Sequence, residues 1–229
     1  MLGFVRRSWA AIGTEATKVV KMDHSPWQKE MRMATLKSQE DLKEWLTGSD
    51  KDIGGFSDAH LEITKEGAGK FHGNISLDLP TNDQVEKSGY AGCRTRTKPS
   101  NIFGTPVWDT CLFEYLALRV KGDNRKYFVN LQTDGIVPTD LYQHRLFLKT
   151  PGEWETVLIP FKDFILTNRG VIQEQQIEIF RERVKNVGIS IIDRAAGPFS
   201  LEIESISAAN VGPNPNAPPE EKEEEHNKI

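Results

Sequence analysis

Phe71, Gly73, Ile75, Leu77 and Leu79 alternate with polar neighbours, and the same period of two runs through Leu116, Leu118, Val120, through Trp154, Thr156, Leu158, and through Val187, Ile189, Ile191. Side chains of a strand point to opposite faces in turn, so this spacing predicts half-buried strands. Further strands are predicted over residues 61–64, 90–97, 126–132, 145–149 and 199–206, where apolar runs are bounded by Gly, Asn, Asp and Pro. The total is about nine strands. Two stretches break the period: residues 40–46 read as a short helix, and residues 171–184 as a longer one with Ile177, Phe180 and Val184 at helical spacing. Many short strands, few helices and no strand–helix alternation predict an all-β sandwich of two antiparallel sheets. A nucleotide-binding parallel sheet is disfavoured.

The two ends of the chain follow other rules. Leu2, Val5, Trp9, Ile12, Ala16 and Val19 recur at spacings of three and four, which makes one apolar face of an N-terminal amphipathic helix. Arg7, Lys18 and Lys21 fall on the far side of that helix, and residues 1–22 carry a net +3. A helix with apolar and basic faces suits a mitochondrial targeting segment or an anionic membrane surface; the plainer alternative is packing on the domain. Leu2, Val5, Arg7, Trp9, Ile12, Lys18 and Lys21 are therefore the expected membrane-contact residues. Residues 211–229 reverse the charge, with five glutamates against Lys222 and Lys228 among four prolines. Such a composition cannot bury enough apolar surface to offset its ordering entropy, and disorder is expected there. The expected organisation is a leader at 1–22, one sandwich domain at 23–210 and an acidic tail at 211–229.

Composition narrows the function. With 29 basic and 33 acidic residues among 229, the formal charge is -4, so the pervasive basic surface of a nucleic-acid binder is missing and no nucleic-acid partner is expected. No apolar run reaches the roughly 20 residues a spanning helix needs. Two cysteines, Cys93 and Cys111, make no multi-bridge framework and no CxxC, which fits a reduced compartment and no structural zinc.

Candidate chemistry is sparse. If residues 60–74 form a hairpin about Glu66, His60 faces His72 with Glu62 nearby, but a metal site needs further ligands, so no metal or other cofactor is expected. No GxSxG, HExxH, Walker A or GxGxxG string occurs, and an enzyme reading has no anchor. Arg94, Arg96 and Lys98 alternate with Thr95 and Thr97 and would line one strand face, able to hold phosphate or acidic side chains. The alternative is a solvated face paired with nearby carboxylates. Glycines are placed more specifically: the adjacent pair in SDKDIGGFS and the single glycines in FHGNIS and GYAGCRT mark backbone that side chains would obstruct.

Taken in order with YLALRVKGD, WETVLIPFKDF, VKNVGISIID and GPFSLEIESI, these strings resemble the complex I intermediate-associated protein family over about residues 40–210. Members of that family help assemble mitochondrial NADH:ubiquinone oxidoreductase. The resemblance implies a galactose-binding-like jelly roll, and a matrix protein peripheral on the inner membrane. It further implies action on membrane-arm subunits with other assembly factors, and absence from the mature enzyme. It implies no catalytic residue. Of the positions matching the family's motifs, Ser57, Arg94, Arg119 and Asp193 are polar enough to take part in binding, although a buried arginine–aspartate pair would equally serve the fold. The rival reading is a glycan- or small-ligand-binding module, for which Trp108 and Trp154 are the aromatic candidates. For the leader, contact with an anionic lipid such as cardiolipin is expected.

Overall fold

The computed structural model describes residues 28–80, 88–102, 104–135 and 137–212. Both ends of the chain, including all seven expected membrane-contact residues and the acidic run at 220–225, lie outside the described residues.

Within them the strands are β1 (Glu30–Thr35), β2 (Trp45–Ser49), β3 (Asp58–Ile63), β4 (Gly69–Ile75), β5 (Ala91–Thr95), β6 (Tyr115–Gly122), β7 (Tyr127–Thr133), β8 (Asp140–Leu146), β9 (Glu155–Pro160), β10 (Ile165–Asn168), β11 (Val171–Ile172), β12 (Val184–Ile191) and β13 (Gly197–Ala209). One α-helix, α1 (Gln39–Lys43), and three 3-10 turns complete the order. One sheet has the order β3-β4-β13-β6-β9 with β1 on the far end of β13; the other runs β11-β10-β8-β7-β12-β5-β2, and all pairings are antiparallel. The fold is an all-β jelly-roll sandwich of the galactose-binding-like type.

The period of two decides what lies between the sheets. In β6, Leu116, Leu118 and Val120 are wholly buried, while Arg119 and Lys121 point out. In β12, Val187, Ile189 and Ile191 meet them from the other sheet, with Val129 and Leu131 of β7 alongside. Each such side chain contributes about 1.5–3 kcal/mol by leaving water. Cys93 belongs to this core, where burial pushes its thiol up to about 12, while Cys111 is an exposed free thiol. The hairpin register at residues 58–75 is as the sequence predicts, with His60 opposite His72 and Leu61 opposite Phe71.

The predicted helix over residues 171–184 does not form. Val171 and Ile172 pair with β10, residues 173–180 are irregular, and β12 begins at Val184. Tertiary partners override the helical spacing. The Gln176 side-chain amide gives Leu166 O a hydrogen bond and accepts one from Leu166 N, as a neighbouring strand would. Ile179 is buried, and the Arg181 guanidinium donates to the carbonyls of Thr110, Cys111 and Phe113. Ile177 and Phe180, two of the three residues of the supposed apolar face, are exposed.

Three smaller expectations also shift. Residues 40–46 shorten to α1, capped by a reciprocal Ser38–Asp41 pair and ended where buried Trp45 enters β2 opposite Thr95. The strand through residue 79 stops at Ile75, leaving Leu77 and Leu79 exposed. In β9 the buried set is inverted: Ile159 is inside and Leu158 outside, because Trp154 precedes the strand and lies half-buried beneath Arg119.

Candidate functional site

The outer face of the seven-stranded sheet carries a groove of about 380 Å³. Its floor is set by strand register. Leu46, Arg94, Gly188, Asn130 and Gln143 stand opposite one another in β2, β5, β12, β7 and β8, and the next row holds Gly48, Gly92 and Ser190. The glycines lower the floor so that side chains can lie across it. A Cβ on residue 188 would sit 2.6 Å from Cys93 O and 2.8 Å from Arg94 Cβ; one on residue 48 would sit 3.0 Å from the Asp52 carboxylate. The Arg94 Cβ thus packs close to the bare Gly188 backbone of β12, and the Asp52 carboxylate lies over Gly48 of β2.

Amides cross the floor. Gln143 Nε2 donates to Asn130 Oδ1 at 2.6 Å and Asn130 Nδ2 to Ser190 Oγ at 2.9 Å, while Asn186 Nδ2 donates to Gln132 Oε1 at 2.8 Å. An amide carries two donor hydrogens and an acceptor oxygen with two lone pairs, so this ladder keeps hydrogen-bonding capacity for a ligand. Leu46 and Leu141 give the groove apolar edges, and Tyr90 closes it beside Asp52. Burial and the charges of Asp50 and Asp52 raise the Tyr90 hydroxyl, which stays a neutral donor at physiological pH. Arg94 is exposed; one of its N–H groups reaches Thr95 O at 3.3 Å, and among the described residues no carboxylate pairs with it. The arrangement can hold an extended polar segment by hydrogen bonds and one carboxylate by charge.

The other predicted residues do not join this groove. Arg94, Arg96 and Lys98 fail to share one face, because β5 ends at Thr95. Arg96 Nε instead donates to Lys43 O at 2.8 Å, and Lys98 lies 5.2 Å from the Trp108 ring centre; both border a second cavity with Arg32, Met33 and Glu44. Arg119 is on the opposite sheet, 5.8 Å from the ring centre of Trp154 and 3.9 Å from Glu204. Ser57 is fully buried, its hydroxyl donating to Asp50 at 2.9 Å, so it presents nothing to a partner. Asp193 accepts from Arg125 Nε and Nη2 at 2.7 and 2.9 Å; burial alone would raise its carboxyl, but these bonds hold it below the usual carboxylate value. Its partner, Arg125, carried no signal in the sequence. His72 Nε2 lies 3.2 Å from Glu62, yet no three ligand-type groups among the described residues converge on an ion-sized point.

Sequence reasoning missed Asn130, Gln132, Gln143 and Asn186. Their signal was present as amides at the outward positions of apolar strands, where an ordinary solvated face would carry Lys or Glu.

The profile of the complex I intermediate-associated protein 30 family matches residues 34–203. The chain belongs to this family. It is 45% identical over 186 residues to the Neurospora crassa protein named complex I intermediate-associated protein 30, mitochondrial, covering 71% of this chain and 67% of that one. It is 32% identical over 176 residues to the protein of that name in Drosophila melanogaster, covering 74% of this chain and 60% of the relative. The mouse relative is 31% identical over 175 residues, or 74% of this chain and 53% of the relative. The chain thus spans between about half and two thirds of the length of the curated relatives it matches. Among solved structures, the family 11 carbohydrate-binding module of the Clostridium thermocellum cellulase Lic26A-Cel5E superposes with a TM-score of 0.54 at 14% identity, over 80% of this chain and 95% of the module. The same module in complex with a mixed-linked tetrasaccharide gives 0.51 at 14% identity, over 79% and 95%. At that identity the likeness establishes the fold alone.

Among the described residues, no helix is long and apolar enough to cross a membrane.

Proposed function

We propose that this chain is a non-enzymatic assembly factor that binds membrane-arm intermediates of mitochondrial respiratory complex I and is absent from the finished enzyme. The observation that carries the reading is the family match over residues 34–203, with 45% identity to the Neurospora relative. The geometry agrees with a docking role: the groove offers hydrogen bonds and an arginine that no carboxylate pairs with among the described residues. The mechanism is mass action. A factor that binds the incomplete complex but not the complete one stabilises the former by its differential affinity, and leaves when its surface is taken by the next subunit.

In this reading the chain works in the matrix, peripheral on the inner membrane, with other assembly factors beside it. Residues 23–210 form the docking domain and residues 1–22 the lipid-facing leader, whose apolar stripe and cations suit an anionic surface such as cardiolipin. Flotation with cardiolipin-containing liposomes tests the leader. Full-length protein should float at low salt and sediment increasingly as salt rises, and a variant lacking residues 1–22 should sediment throughout. Equal flotation of the two forms would remove the leader from the account.

A further inference from the structure

The outer face of the seven-stranded sheet runs on past the groove. Residues paired across strands share a face, so the row Leu46, Arg94, Gly188, Asn130 and Gln143 continues to Ile165 of β10. Leu141, which lines the groove, pairs with Thr167, and Thr167 with Ile172 of β11. Ile165 and Ile172 are 41% and 62% exposed, although they stand at the edge of a surface already built for contact. The face therefore has three zones in order: a cation at Arg94 on β5, amides on β7 and β8, and an apolar rim on β10 and β11. Four strand spacings separate Arg94 from Ile165, about 19 Å.

Each zone selects a different part of a ligand. A side-chain amide can accept from a peptide N–H and donate to a peptide C=O, and this chain already makes that bond: Gln176 serves both polar groups of Leu166, at 2.7 and 3.1 Å. Asn130 and Gln143, the amides on the row between Arg94 and Ile165, offer the same groups. The bonds they make to each other and to Ser190 leave each nitrogen a second hydrogen and each oxygen a lone pair. Arg94, with no carboxylate pairing it among the described residues, takes an acidic group. Ile165 and Ile172 take apolar side chains, which leave water on contact. Trp108 lines the second cavity and Trp154 lies on the opposite sheet, so the tryptophan faces on which a sugar ring could stack are elsewhere.

We infer that the groove's partner is an extended polypeptide segment crossing β5, β12, β7, β8 and β10, with an acidic side chain on Arg94, its backbone on Asn130 and Gln143, and apolar side chains on Ile165 and Ile172. An extended chain advances about 3.3 Å per residue, so about six residues separate the acidic end from the apolar end. The inference rests on the groove being the docking surface, and names what docks there. An exposed ion pair contributes little by itself. Specificity therefore comes from the spacing, which an acidic segment or an apolar segment alone does not match.

The test titrates the full chain into two labelled peptides, blocked at both ends and followed by fluorescence anisotropy. One is Glu-Ser-Thr-Ser-Thr-Ser-Ile-Leu and the other its reverse, since an extended segment can cross the strands in either direction. At least one should bind saturably. Its affinity should fall at least about tenfold with Arg94→Glu, and about tenfold with Ile172→Asp. Lys70→Glu on the other sheet should leave it unchanged. A peptide with Lys in place of Glu should prefer the Arg94→Glu protein, and one with Glu moved next to Ile should bind no better than one with Gln at the original place. No binding by either peptide, equal losses from Arg94→Glu and Lys70→Glu, or saturable binding of a mixed-linked tetrasaccharide in the peptides' stead would overturn the inference. Native gels of mitochondria separate it from the parent reading. Wild type in membrane-arm sub-assemblies without peptide binding would remove the segment and keep the docking role; peptide binding as described with no sub-assembly association would keep the segment and remove the docking role.

Discussion

Replacing Asp193 with Ala should cost about 3–5 kcal/mol of stability at neutral pH, the range for removing one partner of a buried ion pair. The Arg125 and Asp193 side chains are 15% and 5% exposed, and Arg125 also donates to the carbonyls of Ala195, Gly197 and Pro198. The pair pins the crossing from β12 in one sheet to β13 in the other, so its loss frees a connection between the two layers. Because the folded carboxyl titrates below its ordinary value of 3.8, its contribution is complete well above that value and fades as pH falls toward and through the folded value. Denaturant titrations of wild type and Asp193→Ala at pH 7 and pH 3 should therefore differ more at pH 7. A loss under about 1 kcal/mol at pH 7, or the same loss at both, would show that the pair does not hold this crossing.

A second large effect is expected at the other loop of the same end. Asp50 is fully buried and accepts from Ser57 N at 2.8 Å, Ser57 Oγ at 2.9 Å and Gly89 N at 2.5 Å. Ser57 passes the contact on, its Oγ accepting from Ser76 N at 3.0 Å. One carboxylate thus ties together the segments flanking β2, β3, β4 and β5. Asp50→Ala strands two backbone donors, Ser57 N and Gly89 N, each costing about 1–3 kcal/mol when buried without an acceptor, and leaves the Ser57 hydroxyl only Ser76 O at 3.2 Å. The sum is a large part of the roughly 5–15 kcal/mol that holds a domain together. Gly55→Ala should fail similarly, since its Cβ would sit 2.5 Å from Asp50 Cγ. Thermal melts should show both variants far below wild type, with Asp52→Ala, an exposed neighbour, close to it. If Asp50→Ala melted with Asp52→Ala, the buried carboxylate would have no such role.

These two sites also show how far the sequence could be read. The period of two identified the core of β6 and β12 because both faces of those strands keep one environment from end to end. The GG of SDKDIGGFS marked a close backbone approach, and Asp50 is what approaches. What supplies the contact was illegible, since Gly89 lies 39 residues away and only folding joins them. The helical spacing of residues 171–184 misled for the same reason: Gln176 satisfies the edge of β10 through its side chain, a bond between residues ten apart that propensity cannot anticipate. β1 was unreadable because its alternating residues are methionines between charges, and only pairing with β13 makes them a strand. At the candidate site, Arg94 was legible as an outward cation. Its separation from Arg96 and Lys98 was not, because it depends on where β5 parts from β12 to admit Trp108 beside Val184.

Gly188 connects the fold to the proposed function, since a Cβ there would sit 2.8 Å from Arg94 Cβ and push against the strand that carries the groove's arginine. Charge reversal at Arg94 leaves the core untouched, and so separates docking from folding. The decisive measurement is mass spectrometry of the proteins that co-migrate with the tagged chain on native gels of mitochondria, run for wild type and for Arg94→Glu. Wild type should travel with membrane-arm subunits at sub-complex mass and be missing from mature complex I, and Arg94→Glu, with an unchanged melting temperature, should lose most of that association. Wild type travelling alone, or with the mature enzyme, would contradict the account.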